Sequence, residues 1–393
     1  MLSQERMTSS QECERAWVEV DLAALGENTR RIKGLLSPST ELMAVVKADA
    51  YGHGAVMVAR KVLQQGASSL GVATIAEGIE LRQAGIDAPI LVFGAVNTLA
   101  EVQAIAQWQL QATLSSPKQA LIFSRHLEHP CPVHLVIDTG MGRLGCPQEQ
   151  SLELIKFVYG LPHLTLAGLC SHLAMADAID PSCMEQQRCQ FEQVVQQVRC
   201  AGIPLPPLHL ANSAATLRSP QFHYNLVRVG LALYGLYPAP HLRSRVELQP
   251  VLQVRARITL VKTIAAGSGV SYGHQFVAPQ PMRIAVVGIG YADGVPRNLS
   301  NRMSVLLRGQ RVAQIGVITM DQLIIDVTGV ENVQEGDVVT LIGEDGEDPG
   351  ATPSRSGQPQ VERITVEEWA HTLGTISWEI LCNFKQRLPR IAV

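Results

Sequence analysis

From about residue 16 to 240 the chain alternates short aliphatic runs with stretches of helical period. The runs include LMAVV (42–46), PILVFG (89–94), VHLVID (133–138) and LTLAGL (164–169). Between them lie segments such as AVMVARKVLQQG (55–66) and CMEQQRCQFEQVVQQVRCAG (183–202). In the second, Met184, Phe191, Val194, Val195 and Val198 recur near helical spacing, and Gly202 marks a stop. Aliphatic strands separated by such helices predict parallel β-structure with crossover helices. About ten alternations in some 225 residues fit a closed (β/α)₈ TIM-type barrel better than an open doubly wound sheet, which stays the alternative.

Beyond Pro250 the pattern changes. VLQVRARITLVKTIAAG, MRIAVVGIGYADG, MSVLLRGQRVAQIG, QLIIDVTGV and DVVTLIG read as strands joined by glycine-marked turns, with little helix between them. The fold class is therefore α/β + β, with a barrel over 16–245 and a mostly β-strand module over 246–393. The opening strand packs either with the barrel or with that module. Residues 344–360, EDGEDPGATPSRSGQPQ, are polar and rich in Gly and Pro, which predicts a flexible surface insertion. The closing VERITVEEWAHTLGTISWEILC returns to helical period.

Composition narrows the function classes. The 393 residues carry 32 basic and 35 acidic side chains, a net charge of −3, so nothing in the balance draws the chain to nucleic acid or an anionic membrane. Hydrophobic residues make up 46% but aromatics only 5%, which makes the core largely aliphatic. No apolar run approaches the ~18 residues of a spanning helix. The start, MLSQERMTSSQECERA, is charged and lacks the apolar core of a secretory signal. Eight scattered cysteines without a C-x-x-C pair predict neither a metal site nor a disulfide framework. These features predict a soluble cytoplasmic protein.

Several strand ends carry candidate chemistry. In VVKADAYGHG (45–54), Lys47 follows an aliphatic run directly. At the mouth of a barrel, desolvation would favour its neutral amine, a nucleophile toward aldehydes; otherwise it reaches from the strand end into water. In IDTGMGRLG (137–145), Gly140, Gly142 and Gly145 spell G-x-G-x-x-G. A dinucleotide fingerprint needs an acidic residue about 20 positions on, which is missing, so Arg143 on a tight turn better suits capture of a carboxylate. HLANSAATL (209–217) places Asn212 and Ser213 near a helix start, and VRVGLALYGLYP (227–238) brings Arg228 and Gly230 soon after; a phosphate suits the pair of loops, a cap and an ion pair suit them equally. His172 in SHLAMAD and Tyr272 in GVSYGHQF each have a structural reading as well as a catalytic one.

In order along the chain, VVKADAYGHG, DTGMGRLG, SHLA, HLANSAA, VRVGLALYG, SYG, GYADG and MDQ resemble the alanine racemases. These are enzymes that use pyridoxal 5'-phosphate (PLP), with an N-terminal barrel and a C-terminal β domain. The resemblance implies a homodimeric isomerase interconverting L- and D-alanine and feeding D-alanine to peptidoglycan synthesis. Lys47 would hold PLP as a Schiff base and act as the base for the D-enantiomer. Tyr272, reaching into the partner's site, would be the opposite-face base. Arg143 would grip the substrate carboxylate, with the backbone at Met320 nearby from the other subunit. Tyr51, Ser213, Gly230 and Leu231 would hold the phosphate, with Asn212 alongside. Arg228 would face the pyridine nitrogen, and His172 would bridge it toward Tyr272. A cationic network through His172 and Arg228 would bring the tyrosine, ordinarily near pKa 10, closer to working pH. Asp177 and Tyr291 match residues of the substrate entrance.

Three positions depart from the family's pattern. Val136 stands where many members have a lysine before the substrate arginine, and Val317 where an arginine often lines the entrance. Trp378 replaces a tyrosine that contacts the phosphate, and it offers only an N–H donor. A racemase of broader or serine preference is therefore the nearest rival. A barrel decarboxylase of basic amino acids, a PLP carrier protein and a dehydrogenase are the more distant ones.

Overall fold

The computed structural model describes residues 14–345 and 362–393. Most of the expected insertion, residues 346–360, and most of the N-terminal stretch read above lie outside the described residues. The chain divides into two compact units. One is Leu22–Val251; the other joins the described residues up to Asp21 with Leu252–Val393.

The first unit is the expected (β/α)₈ barrel. Its strands are β1 (Glu41–Val45), β2 (Ser69–Val72), β3 (Ile90–Ala95), β4 (Gln111–Leu114), β5 (Cys131–Asp138), β6 (Leu164–Cys170), β7 (Leu208–His209) and β8 (Leu226–Val229). They are parallel and neighbour one another in chain order, with β8 paired back onto β1. Between β7 and β8 the ring is closed by Asn225 N–H donating to Leu208 O and Arg228 N–H to Ala211 O, both at 3.0 Å. An open doubly wound sheet would leave two edges, so that alternative is set aside.

Local chemistry explains the crossovers. Thr74 and Thr98 cap the helices Ile75–Gln83 and Leu99–Gln107, and Glu77 and Glu101 return the hydrogen bond three residues on. Ser116 caps Pro117–His126, whose first residue needs no amide partner. The longest helix, Ser182–Cys200, buries Met184, Phe191, Val194, Val195 and Val198, the stripe read from the sequence. On β5 the buried Val133, Leu135 and Ile137 alternate with His134, Val136 and Asp138. Each fully buried aliphatic side chain contributes about 1.5–3 kcal/mol. His134 hydrogen-bonds residues of β4 and β7 across the ring, so its set faces the barrel interior.

In the second unit the long strand Leu252–Ile264 is the spine. Its first half pairs antiparallel with Ala16–Val20 and Val338–Glu344, its second half with Met282–Val287. Ser304–Leu307, Gln310–Ala313, Leu323–Asp326 and Arg390–Ala392 extend the sheet. The helices Val366–Leu373 and Ser377–Asn383 fall in the closing segment. Among the described residues no helix is long and apolar enough to cross a membrane.

Candidate active site

The C-terminal strand ends of the barrel carry Lys47 after β1, Arg143 after β5, His172 after β6, Asn212 and Ser213 after β7, and Gly230 and Leu231 after β8. In this fold that end is where catalytic residues collect.

Lys47 opens a turn of unusual hand. Ala48, Asp49, Ala50 and Tyr51 all have φ of 53° with ψ between 44° and 49°, a single left-handed helical turn built without glycine. Each such residue costs roughly 1–2 kcal/mol, so neighbouring contacts must hold it. Ala48 N–H donates to Glu77 Oε1 (2.8 Å), whose other oxygen accepts from Ala73 N–H (2.7 Å) and Thr74 N–H (3.0 Å). Asp49 Oδ1 accepts from Ala55 N–H at 2.7 Å. The turn delivers Tyr51, which is buried and lies 5.1 Å from the Tyr234 ring.

Tyr51, Ser213 and the backbone after β8 converge. A Cβ on Gly230 would stand 2.5 Å from Tyr51 Oη, so only glycine permits this approach. Ser213 Oγ accepts from Gly230 N–H (3.0 Å) and Ala232 N–H (3.5 Å), while Asn212 Oδ1 accepts from Ala215 N–H (3.1 Å). Tyr234 donates to Val45 O at 2.9 Å and stacks on His53 with centroids 4.4 Å apart, which ties the β8 loop to the end of β1.

The Arg143 loop is organised by Asp138. Its Oδ1 accepts from Gly140 N–H (2.9 Å), Met141 N–H (2.9 Å) and Gly142 N–H (3.1 Å). A carboxylate thus takes the amides that a pyrophosphate would need, which explains the glycines without a dinucleotide. Arg143 itself is exposed.

Arg228 is 7% exposed and donates to Ser171 O (2.7 Å), His209 O (2.9 Å) and His209 Nδ1 (2.8 Å). Its Nη2 also lies 3.4 Å from His172 Nδ1. Burial, then the charges of Arg228, Arg143 and Lys47, push the His172 imidazole down to about 3. Burial and these neighbouring charges favour the neutral imidazole, so the positive charge of the network expected through His172 and Arg228 rests on Arg228.

Of the remaining expected residues, all but Asp177 sit in the second unit. Tyr272 and Met320 are 73% and 53% exposed, and Tyr291 is also exposed. Their loops are joined by Ser271 Oγ–H to Val317 O (2.7 Å), Tyr291 N–H to Thr319 O (3.0 Å) and Ala292 N–H to Met320 O (3.0 Å). Val317 is 2% exposed, so its side chain packs inside this unit. Trp378 is half-buried on the helix Ser377–Asn383, and Asp177 is exposed after β6. The sequence reading missed Glu77, Asp138, His209 and Tyr234. His209, Asp138 and Tyr234 stood inside the quoted HLANS, IDTG and VRVGLALYG motifs, and Glu77 in none.

The alanine racemase N-terminal domain pattern matches residues 20–238, and the C-terminal domain pattern residues 251–392. The chain is 60% identical to an alanine racemase of Nostoc sp., over 98% of this chain and 100% of that one. It is 56% identical to one of Synechocystis sp., over 97% and 99%. Among solved structures, the Bacillus anthracis alanine racemase with bound L-Ala-P superposes with a TM-score of 0.88 at 34% identity, covering 97% of this chain and 95% of that one. A Clostridium difficile alanine racemase in complex with cycloserine gives 0.86 at 32%, over 97% and 96%. With both domain patterns matched in order around a strand-end lysine, the chain belongs to the alanine racemase family of PLP-dependent amino-acid isomerases.

Proposed function

We propose that this chain binds PLP and interconverts L- and D-alanine with two bases, Lys47 and Tyr272, supplying D-alanine for peptidoglycan in the cytoplasm. The observation that carries the reading is one cluster: Lys47 at a strand end, two hydroxyls and close backbone amides at Tyr51, Ser213 and Gly230, and a buried arginine with neutral partners. That donor set fits a phosphate beside a pyridine ring. The Ser213 and Tyr51 hydroxyls and the backbone of Gly230 and Leu231 would hold the phosphate, with Asn212 fixing the helix that presents Ser213 and Trp378 walling the pocket. PLP, when bound, supplies the electron sink that makes the Cα–H of an amino acid acidic.

The protein's own work is proton handling on two faces. A single base would return the proton to the side it came from, so inversion needs a second. Lys47 serves one face, and Tyr272 of the partner subunit serves the other in a homodimer. The large exposure of Tyr272 and Met320 within their own unit supports that assembly. Arg143, on the loop that Asp138 gathers, would anchor the substrate carboxylate as a bidentate donor. Asp138 gathers this loop through three of its amides, and Val136 takes no part in that. Neutral His172 accepts from Arg228 and passes its orientation toward the tyrosine, so Arg228 supplies the charge that favours a phenolate. Asp177 and Tyr291 would line the route in.

The test is chiral chromatography of L-alanine and L-serine incubated separately with the PLP-loaded protein. D-alanine forming much faster than D-serine supports the reading. Dominant D-serine keeps the chemistry and changes the substrate, and formation of neither overturns it.

A further inference from the structure

Arg228 is a buried guanidinium with unusual company. Its partners are His209 Nδ1, the carbonyls of Ser171, His209 and Leu210, and more distantly His172 Nδ1. Buried charges are ordinarily paired with an opposite charge. Among the described residues no carboxylate hydrogen-bonds this one.

Behind Arg228 the contacts continue into the barrel interior. His209 Nε2 lies 2.9 Å from His134 Nδ1, and His134 Nε2 lies 3.0 Å from Gln111 Oε1. Donor and acceptor rules fix the order along this line. A guanidinium only donates, so His209 Nδ1 must accept and its proton sits on Nε2. That proton is given to His134 Nδ1, which places the second imidazole's proton on Nε2, facing the Gln111 carbonyl. Burial, reinforced by Arg228, pushes His134 down to about 4 and His209 well below its ordinary value, so both stay neutral. The backbone makes room for the pair. β6 carries one extra residue, Ala167, between the Val133–Leu166 and His134–Gly168 pairings with β5. A Cβ on Gly168 would collide with His134 Nδ1 and stand 2.9 Å from His209 Nε2.

We propose that His134, backed by Gln111 and admitted by Gly168, is a positioning residue for Arg228: it fixes His209 as the Nε2–H tautomer, so that a neutral lone pair holds the guanidinium. A carboxylate there would cancel the charge that Arg228 turns toward a ring nitrogen. A neutral acceptor aligns the guanidinium and leaves its field whole. The proposal rests on the reading of Arg228 given above.

The experiment uses PLP-loaded protein carrying ¹⁵N-histidine. Both buried imidazoles should show a pyrrole-type Nε2 and a pyridine-type Nδ1 from pH 6 to 9, and His134→Leu identifies their signals. His134→Leu should disturb the His209 pattern and lower kcat for alanine about tenfold, the usual scale for outer partners of a site, with KM changed less. His134→Asn, whose Oδ1 can accept from His209, should restore most of both. Gln111→Leu keeps the test open if His134→Leu does not fold, and should shift the His134 signals with a smaller loss of kcat. A protonated Nδ1 on either imidazole overturns the proposal, as does His134→Asn failing to rescue a defect in His134→Leu. Expected tautomers in a protein that racemises neither alanine nor serine would overturn the reading of Arg228, and the positioning role with it, while leaving the tautomer order standing.

Discussion

One methyl group added at position 230 would enter the space between the loop after β8 and Tyr51. Gly230 faces the buried Tyr51 there, in the loop after β8. Its demand is space: the new Cβ would stand 2.5 Å from Tyr51 Oη. Gly230→Ala should therefore lower stability by about 1–3 kcal/mol, the cost of overpacking a buried contact, and weaken PLP binding at least about tenfold, or roughly 1.4 kcal/mol. Absorbance titration of the apoprotein with PLP reads this directly; unchanged affinity would show that Tyr51 and Gly230 do not share a ligand. The same contact shows what a sequence can carry at this scale. Lys47, Arg143 and Ser213 could be singled out as candidates because each stands inside a local run whose neighbours narrow its role. Tyr234 could not, since its partners Val45 and His53 lie almost 190 residues away or nearly so, and no spacing rule reaches that far.

The left-handed turn after β1 is the element that no propensity argument would have placed. KADAY contains neither glycine nor asparagine at its four positive-φ positions, and alanine ordinarily favours the opposite hand. Hydrogen bonds accepted by Glu77 from Ala48 N–H and by Asp49 from Ala55 N–H override local preference there. The exposed Ala48 is the place to measure the strain, because a change at it disturbs little else. Ala48→Gly should raise stability by up to about 1 kcal/mol, the left-handed penalty less the entropy of glycine. Ala48→Val, β-branched in the same conformation, should lower it by about 1–2 kcal/mol. Urea unfolding of the two variants beside the parent protein tests the pair, and equal midpoints would mean the turn is not held left-handed. The remaining barrel elements were readable for the opposite reason. In them period and core face agree, as in the buried stripe of Ser182–Cys200.

At the scale of the whole molecule, the alternation of strand and helix made the barrel legible, and the shift to glycine-punctuated strands marked the second unit. The membership of Ala16–Val20 in that second sheet was left open, because a five-residue strand carries no signal of its partner; pairing with Leu252–Ile264 is a long-range event. Also illegible was the neutral polar interior of the barrel, and it has a consequence for the molecule as a whole. His134 is pushed down to about 4 and His209 well below its ordinary value, by burial first and then by Arg228. In the unfolded chain both return to about 6.5. Below that value the unfolded chain binds protons that the folded barrel refuses, so stability rises with pH between about 4 and 6.5. The contribution is fully present above about pH 6.5 and is lost as the pH falls. Between pH 7.5 and 5.5 each imidazole should remove about 1.4 kcal/mol, or about 3 kcal/mol for the pair. Carboxylates elsewhere titrate too, so the informative quantity is a difference of differences. Urea unfolding at the two pH values should show a fall in His134→Asn that is smaller than in the parent protein by about 1.4 kcal/mol, since one depressed imidazole is gone. Equal falls in the two proteins would mean that His134 titrates in the folded barrel as it does in the unfolded chain, and that the interior is wet where the geometry makes it dry.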